Sequence, residues 1–138
     1  MRIFLDTNVI VDLIADRQPY SQHAVRIFQR AEQKQLELFA SSHSLITTHY
    51  LMSRYLDEKA LREVLLTLLD FLTVQDADAE LLRMALRSGH RDFEDAVQVL
   101  CAARIGQVDF IVTRNLRDFK TSEIPALSPE ELCLRLDS

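Results

Sequence analysis

The 138-residue chain is predicted to be an α/β protein, a three-layer α/β/α arrangement around a mainly parallel sheet of about four to five strands. Short apolar runs alternate with longer segments of helical period, in the order expected of repeated strand–helix units. The composition agrees: 48% hydrophobic and 27% charged residues, no Trp and only two Gly describe a helix-rich globule. No linker or internal repeat interrupts the pattern, and a chain near this length buries about 68–70% of its unfolded surface, enough for one core. A single domain over residues 1–138 is expected.

Taken in order, Arg2 to Leu5 reads as a short buried strand and Asn8 to Ala15 as a helix with Val9 and Leu13 on one face. Beyond the break at Pro19, Ala24, Ile27, Phe28 and Ala31 repeat at helical spacing. A polar turn at Gln33 to Gln35 leads to a second strand, Leu36 to Ala40. Two helices, Leu45 to Tyr55 and Leu61 to Leu69, flank the charged joint Asp57-Glu58-Lys59, and Phe71 to Val74 is the third strand. Ala79 to Leu86 is a helix with Gly89 placed for a left-handed cap, and Phe93 to Ile105 is another, capped by Gly106. Phe110 to Val112 is the fourth strand and Ile124 to Leu127 a short edge segment containing Pro125. Ser128-Pro129 opens the last helix with an N-cap and a proline in the first turn.

Composition narrows the function. No apolar run approaches the ~18 residues that span a bilayer, no targeting segment opens the chain, and a cytoplasmic address is expected. Cys101 and Cys133 have no CxxC or Cys/His spacing, which argues for core packing over zinc or a disulfide. The four histidines share no HxxxH or HExxH spacing. A net charge of −5 disfavours nucleic-acid affinity through bulk charge but leaves room for a local basic rim or a phosphate held through metal ions.

The acids carry the chemistry. Asp6 follows the first strand, Asp92-Phe93-Glu94-Asp95 opens a helix, and Thr113 to Asp118 follows the fourth strand. Singly, each has an ordinary explanation as a helix cap or turn residue. Together, with Asn8, Thr113 and Asn115, they point to the carboxyl ends of the strands, where sheets of this class bind ligands. Oxygen donors in this number suit a hard cation such as Mg²⁺.

At these residues the chain resembles the PIN-domain ribonucleases, including VapC-like toxins of prokaryotic toxin–antitoxin pairs. The segments FLDTNVIVDL, DFEDAVQVLCAA and IVTRNLRDF carry the resemblance, in the family's order and over nearly the whole chain. It implies a metal-dependent endoribonuclease using Mg²⁺, or Mn²⁺, with Asp6, Asp95 and Asp118 as catalytic metal ligands. Asn8, Asp92, Glu94, Thr113 and Asn115 would support them. Arg114 and Arg117 would contact an RNA substrate.

One departure stands out. The family places a glutamate in the helix after the second strand, and here that region reads SSHSLITTHYL, with Thr48 the expected equivalent and no acid nearby. Whether Asp92 or Glu94 compensates, or Thr48 binds through water, stays open at this level, as does one metal ion against two. The resemblance further implies a cognate antitoxin and a homodimer as partners. The competing reading is a catalytically weakened PIN module that binds RNA or protein. Phosphatase and receiver domains also keep an aspartate after the first strand. The first would need a second aspartate where Asn8 stands, and the second an acidic pair and a late lysine that are not evident.

Overall fold

The computed structural model describes all residues, 1–138. Five parallel strands, β1 (Arg2–Leu5), β2 (Glu37–Ser41), β3 (Leu72–Gln75), β4 (Phe110–Val112) and β5 (Ala126–Leu127), lie in the order β3-β2-β1-β4-β5. Seven helices connect and cover them: α1 (Thr7–Ala15), α2 (Tyr20–Glu32), α3 (Ser42–Met52), α4 (Glu58–Leu69), α5 (Ala79–Arg87), α6 (Phe93–Ile105) and α7 (Pro129–Leu136). The expected α/β/α architecture is the one found.

Strand alternation sorts the core into two layers. On one face, Ile3 and Leu5 of β1 pack with Val9 and Ile10 of α1, Ile27 of α2 and Leu132 of α7. On the other, Phe4 packs with Leu81 of α5, Ala96, Val97 and Cys101 of α6, and Ile111 of β4. Each of the Val, Leu, Ile and Phe side chains among these, fully buried, contributes on the order of 1.5–3 kcal/mol. Cys101 and Cys133 are free and buried, each in a different one of these cores, as their spacing predicts. A smaller cluster of Val11, Met52 and Leu61 ties α1 to α3 and α4.

Strand β1 is the pivot. It pairs with β2 on one side and β4 on the other, so the chain order reverses between β1 and β4. Sheets of this kind bind ligands at such a switch point, beyond the carboxyl ends of the strands. Asp6 and Thr113 are the residues that leave β1 and β4 there, and the Asp6 N–H still bonds the Val112 carbonyl at 2.9 Å.

Two local expectations change. Gly89 does not adopt a left-handed backbone, because α5 ends at Arg87, one residue beyond the expected Leu86, and Ser88, its cap, already turns the chain extended; Gly106 has a positive φ, 80°. Helix α3 begins at Ser42, three residues before the apolar period suggests, because Ser41 caps it: its Oγ accepts the Ser44 N–H at 3.0 Å. The early start adds His43 and Ser44 to the helix that carries Thr47 at the switch point.

Candidate active site

Asp6 is the N-cap of α1 and only 8% exposed. Its Oδ1 accepts from the Thr7 N–H at 2.8 Å and from Gln98 Nε2 at 2.9 Å. Its Oδ2 accepts from Thr113 Oγ1 at 2.8 Å and, at 3.4 Å, from Asn8 Nδ2. Thr113, fully buried, also accepts the Asn115 N–H at 3.0 Å, so one hydroxyl sets both the carboxylate and the turn after β4.

That turn is clamped on α1. The Arg114 N–H donates to Asn8 Oδ1 at 3.3 Å, and the Arg114 guanidinium grips Asp12, Nε to Oδ2 at 2.5 Å and Nη2 to Oδ1 at 3.2 Å. The same guanidinium lies 4.3 Å from the centre of the Tyr20 ring. Arg114 borders the cleft, but its charge is committed to Asp12, which differs from the phosphate-guiding part its sequence position suggests. Arg117 is exposed and forms no ion pair.

Helix α6 brings the second acidic station. Asp92 caps it, accepting the Asp95 N–H at 3.0 Å, and Glu94 and Asp95 occupy the first turn. Burial pushes the Asp95 carboxyl up to about 6, and the neighbouring charges of Asp92, Asp118, Asp6 and Glu94 push the same way, in that order. No Lys, Arg or His forms an ion pair with Asp6, Asp95 or Asp118. The acids therefore repel one another with no directly paired protein cation among them.

Two recesses meet at Asp95. A cleft of about 240 Å³ holds Asp6, Asn8, Thr47, Glu94, Asp95 and Asn115. A second, of about 440 Å³ and lined by no apolar residue, holds Asp92, Asp95, Arg117 and Asp118, the last carried on a 3₁₀ turn over Leu116–Phe119. The three predicted aspartates thus share a region but do not converge on one point. No cluster of three or more His, Cys, Asp or Glu side chains is drawn in tightly enough to enclose an ion.

Thr48 is the correction at the departing glutamate. It is fully buried and its hydroxyl donates to the Ser44 carbonyl at 2.7 Å, one turn back, so it does not reach the cleft. Its neighbour Thr47 does, with His43, whose Nε2 stands 3.2 Å from Thr47 Oγ1 and 3.7 Å from Glu94 Oε1. Sequence reading missed Gln98 and His43. A glutamine among the buried Ala96, Val97, Cys101 and Ala102 was the signal for the first. For the second it was the run of serines before the apolar period, which offers an earlier N-cap.

Residues 2–117 match the family profile described as PIN domain. Ribonuclease VapC1 of Aquifex aeolicus (strain VF5) is 27% identical over 139 residues, covering 97% of this chain and 94% of that protein. Among solved structures, a toxin–antitoxin complex from Klebsiella pneumoniae aligns with a TM-score of 0.65 at 20% identity, over 92% of this chain and 97% of the other. VapC20 of Mycobacterium tuberculosis, a Sarcin-Ricin loop cleaving toxin, aligns with a TM-score of 0.62 at 21% identity, over 79% and 86%. At these identities the structural likenesses speak to the fold.

Proposed function

The chain belongs to the PIN-domain family, and from that premise we propose that residues 1–138 act as one metal-dependent endoribonuclease domain, the toxin of a toxin–antitoxin pair. The observation that carries the reading is the paired placement of Asp6 and Asp95 in one cleft at the switch point, neither of them in an ion pair. The relative named a ribonuclease supports the same activity.

The donor set fits a hard divalent cation, Mg²⁺ or Mn²⁺: every candidate ligand offers oxygen, and the raised proton affinity of Asp95 comes first from its burial and then from the negative charges of the neighbouring acids. Asp6 and Asp95 would hold it, with Asn115 beside them and water completing the shell. Asp118 serves from the adjoining recess, where Asp92 and Arg117 also stand. A bound divalent ion supplies an acidified water and neutralises charge on a phosphodiester.

The protein's own part is positional. Thr113 and Asn8 fix the Asp6 carboxylate, and the Asp92 cap fixes the first turn of α6 and with it Asp95. Thr47 and His43 occupy the wall where the family glutamate is absent, so the carboxylates rest on fewer acids than the family norm. Arg17 lines the cleft, is exposed, and reaches Asp12 only at 4.0 Å, which leaves it freer than Arg114 to meet a phosphate. A single-stranded RNA can bend its backbone into so narrow a recess.

No helix is long and apolar enough to cross a membrane. The partner expected is a small antitoxin, and the face for it is the exposed apolar surface of α3 and α4, where Ile46, Tyr50 and Leu66 stand open. The test is cleavage of a mixed RNA pool with Mg²⁺, Mn²⁺ or EDTA. Activity should need the metal and fall at least 100-fold in Asp6→Asn and in Asp95→Asn, an amount that corresponds to about 2.7 kcal/mol of transition-state stabilisation. Equal cleavage by all three proteins would remove the site.

A further inference from the structure

The two oxygens of Asp6 are engaged unequally. Oδ1 holds two short hydrogen bonds, from the Thr7 N–H at 2.8 Å and Gln98 Nε2 at 2.9 Å, which fill its lone pairs. Oδ2 holds one, from Thr113 at 2.8 Å, and a stretched contact of 3.4 Å from Asn8, whose amide also lies 3.3 Å from Thr113 Oγ1. The oxygen with a lone pair to give is Oδ2.

Gln98 is the only side chain that bonds Oδ1, and it cannot turn away. Its Oε1 accepts from Ser41 Oγ at 2.6 Å, while Nε2 also lies 2.9 Å from Ser44 Oγ. A carboxylate only accepts, which fixes which end of the amide is nitrogen. Gln98 is 2% exposed and Ser41 and Ser44 are wholly buried, so the chain Ser41–Gln98–Asp6 runs through protein interior. A buried polar network fully satisfied in this way is rigid.

We propose that Gln98 is a positioning residue for the metal centre, holding Asp6 Oδ1 so that Asp6 acts as a single-oxygen ligand through Oδ2. The inference rests on the metal-site reading above. Two features favour an amide for this task. It orients the carboxylate without neutralising it, whereas a lysine or arginine here would compete with a divalent ion for the same charge. It also comes from α6, one turn beyond Asp95, so a single rigid helix sets the spacing of both aspartates.

The experiment is Mn²⁺ titration calorimetry on the metal-free full chain, paired with thermal unfolding without metal. Gln98→Met keeps the length of the side chain and removes both polar ends. Its Mn²⁺ affinity should fall roughly 10- to 100-fold, the range for losing a partner behind a metal ligand. Gln98→Lys should weaken Mn²⁺ at least as much. Should the Met variant not fold, Ser41→Ala, which frees the amide from behind, should lose affinity in the same direction by a factor of about three to ten. Wild type that takes up no Mn²⁺ overturns the metal-site reading and this inference with it. Wild type that binds, beside folded variants that bind within twofold of it, overturns this inference alone. A fall in unfolding temperature with unchanged affinity counts with that second result.

Discussion

Arg114 and Asp12 form a two-pronged ion pair, Nε to Oδ2 at 2.5 Å and Nη2 to Oδ1 at 3.2 Å, with Asp12 1% exposed and Arg114 open at one edge. The pair fastens the turn after β4 to α1 and so holds Asn115 and Thr113 in register with Asp6. The two ends are not equivalent. Removing Arg114 strands a buried carboxylate whose nearest other cation, Arg17, is 4.0 Å away, whereas removing Asp12 leaves a guanidinium that can reach water. Arg114→Ala should therefore cost about 3 kcal/mol of stability, and Asp12→Asn less. Urea unfolding of both variants checks the order, and an equal or reversed cost would contradict the pairing. Arg17→Ala, by contrast, should leave stability nearly unchanged and weaken RNA binding.

Thr47 and Thr48 are adjacent in sequence and opposite in setting. Thr47 lines the acidic cleft; Thr48 is sealed in and bonded to the Ser44 carbonyl. Thr47→Glu restores an acid at the wall where the family has one, and should tighten Mn²⁺ binding about tenfold, since ligand charge sets affinity for hard cations. Thr48→Glu buries a charge without a partner and should cost about 4 kcal/mol or prevent folding. Calorimetric Mn²⁺ titration and thermal unfolding of the pair separate the two. Tighter binding in the Thr48 variant, or none in the Thr47 variant, would move the equivalence back by one residue.

That one-residue slip shows where sequence stops being legible. The sheet was readable because buried parallel strands such as Ile3–Leu5 and Phe110–Val112 are short apolar runs bounded by polar residues, and their order follows from the alternation with helices. Asp6 and Thr113 were readable as strand-end residues for the same reason. The face of α3 was not, because its start is set by a hydrogen bond that the Ser44 N–H donates to Ser41 Oγ, and adjacent residues such as Thr47 and Thr48 point about 100° apart around a helix, so a one-residue slip exchanges the cleft for the core. Gln98 was hidden for a different reason. Its partners Ser41, Ser44 and Asp6 lie 54 to 92 residues away in sequence, and only the packed sheet brings them together.

Asp95 makes the metal-free protein sensitive to pH in a defined direction. Its carboxyl is raised from the ordinary 3.8 to about 6, so between those values the folded state binds more protons than the unfolded one. Stability from this group is then fully present below the unfolded value and is lost as pH rises through about 6. The lowered carboxyls Glu58, Asp78 and Asp137 act the opposite way at more acid pH, and all three are exposed on the surface. In EDTA, the stability of wild type relative to Asp95→Asn should decline from pH 4 to 7 and then level off. Thermal unfolding of both proteins across that range measures it, and parallel curves would show that Asp95 is not the group responsible.

The outer surface of α3 and α4 should bind a protein partner independently of the cleft. Ile46, Tyr50 and Leu66 are 71%, 62% and 66% exposed, and Ile46, with Leu45, Leu65 and Leu69, borders an open, nearly apolar recess of about 420 Å³ on the same two helices. Contiguous apolar surface of this kind marks an interaction site more often than a solvated one. Because these side chains project from the fold, Tyr50→Asp and Leu66→Asp should change stability by no more than about 0.5 kcal/mol. Each should weaken binding of an antitoxin encoded beside this chain by at least tenfold, since buried aromatic and aliphatic anchors dominate such interfaces. RNA cleavage by the free protein should be retained in both variants. Calorimetry with the co-purified partner decides the point: unchanged affinity in both variants places the partner elsewhere on the molecule, and lost cleavage would tie this face to the cleft after all.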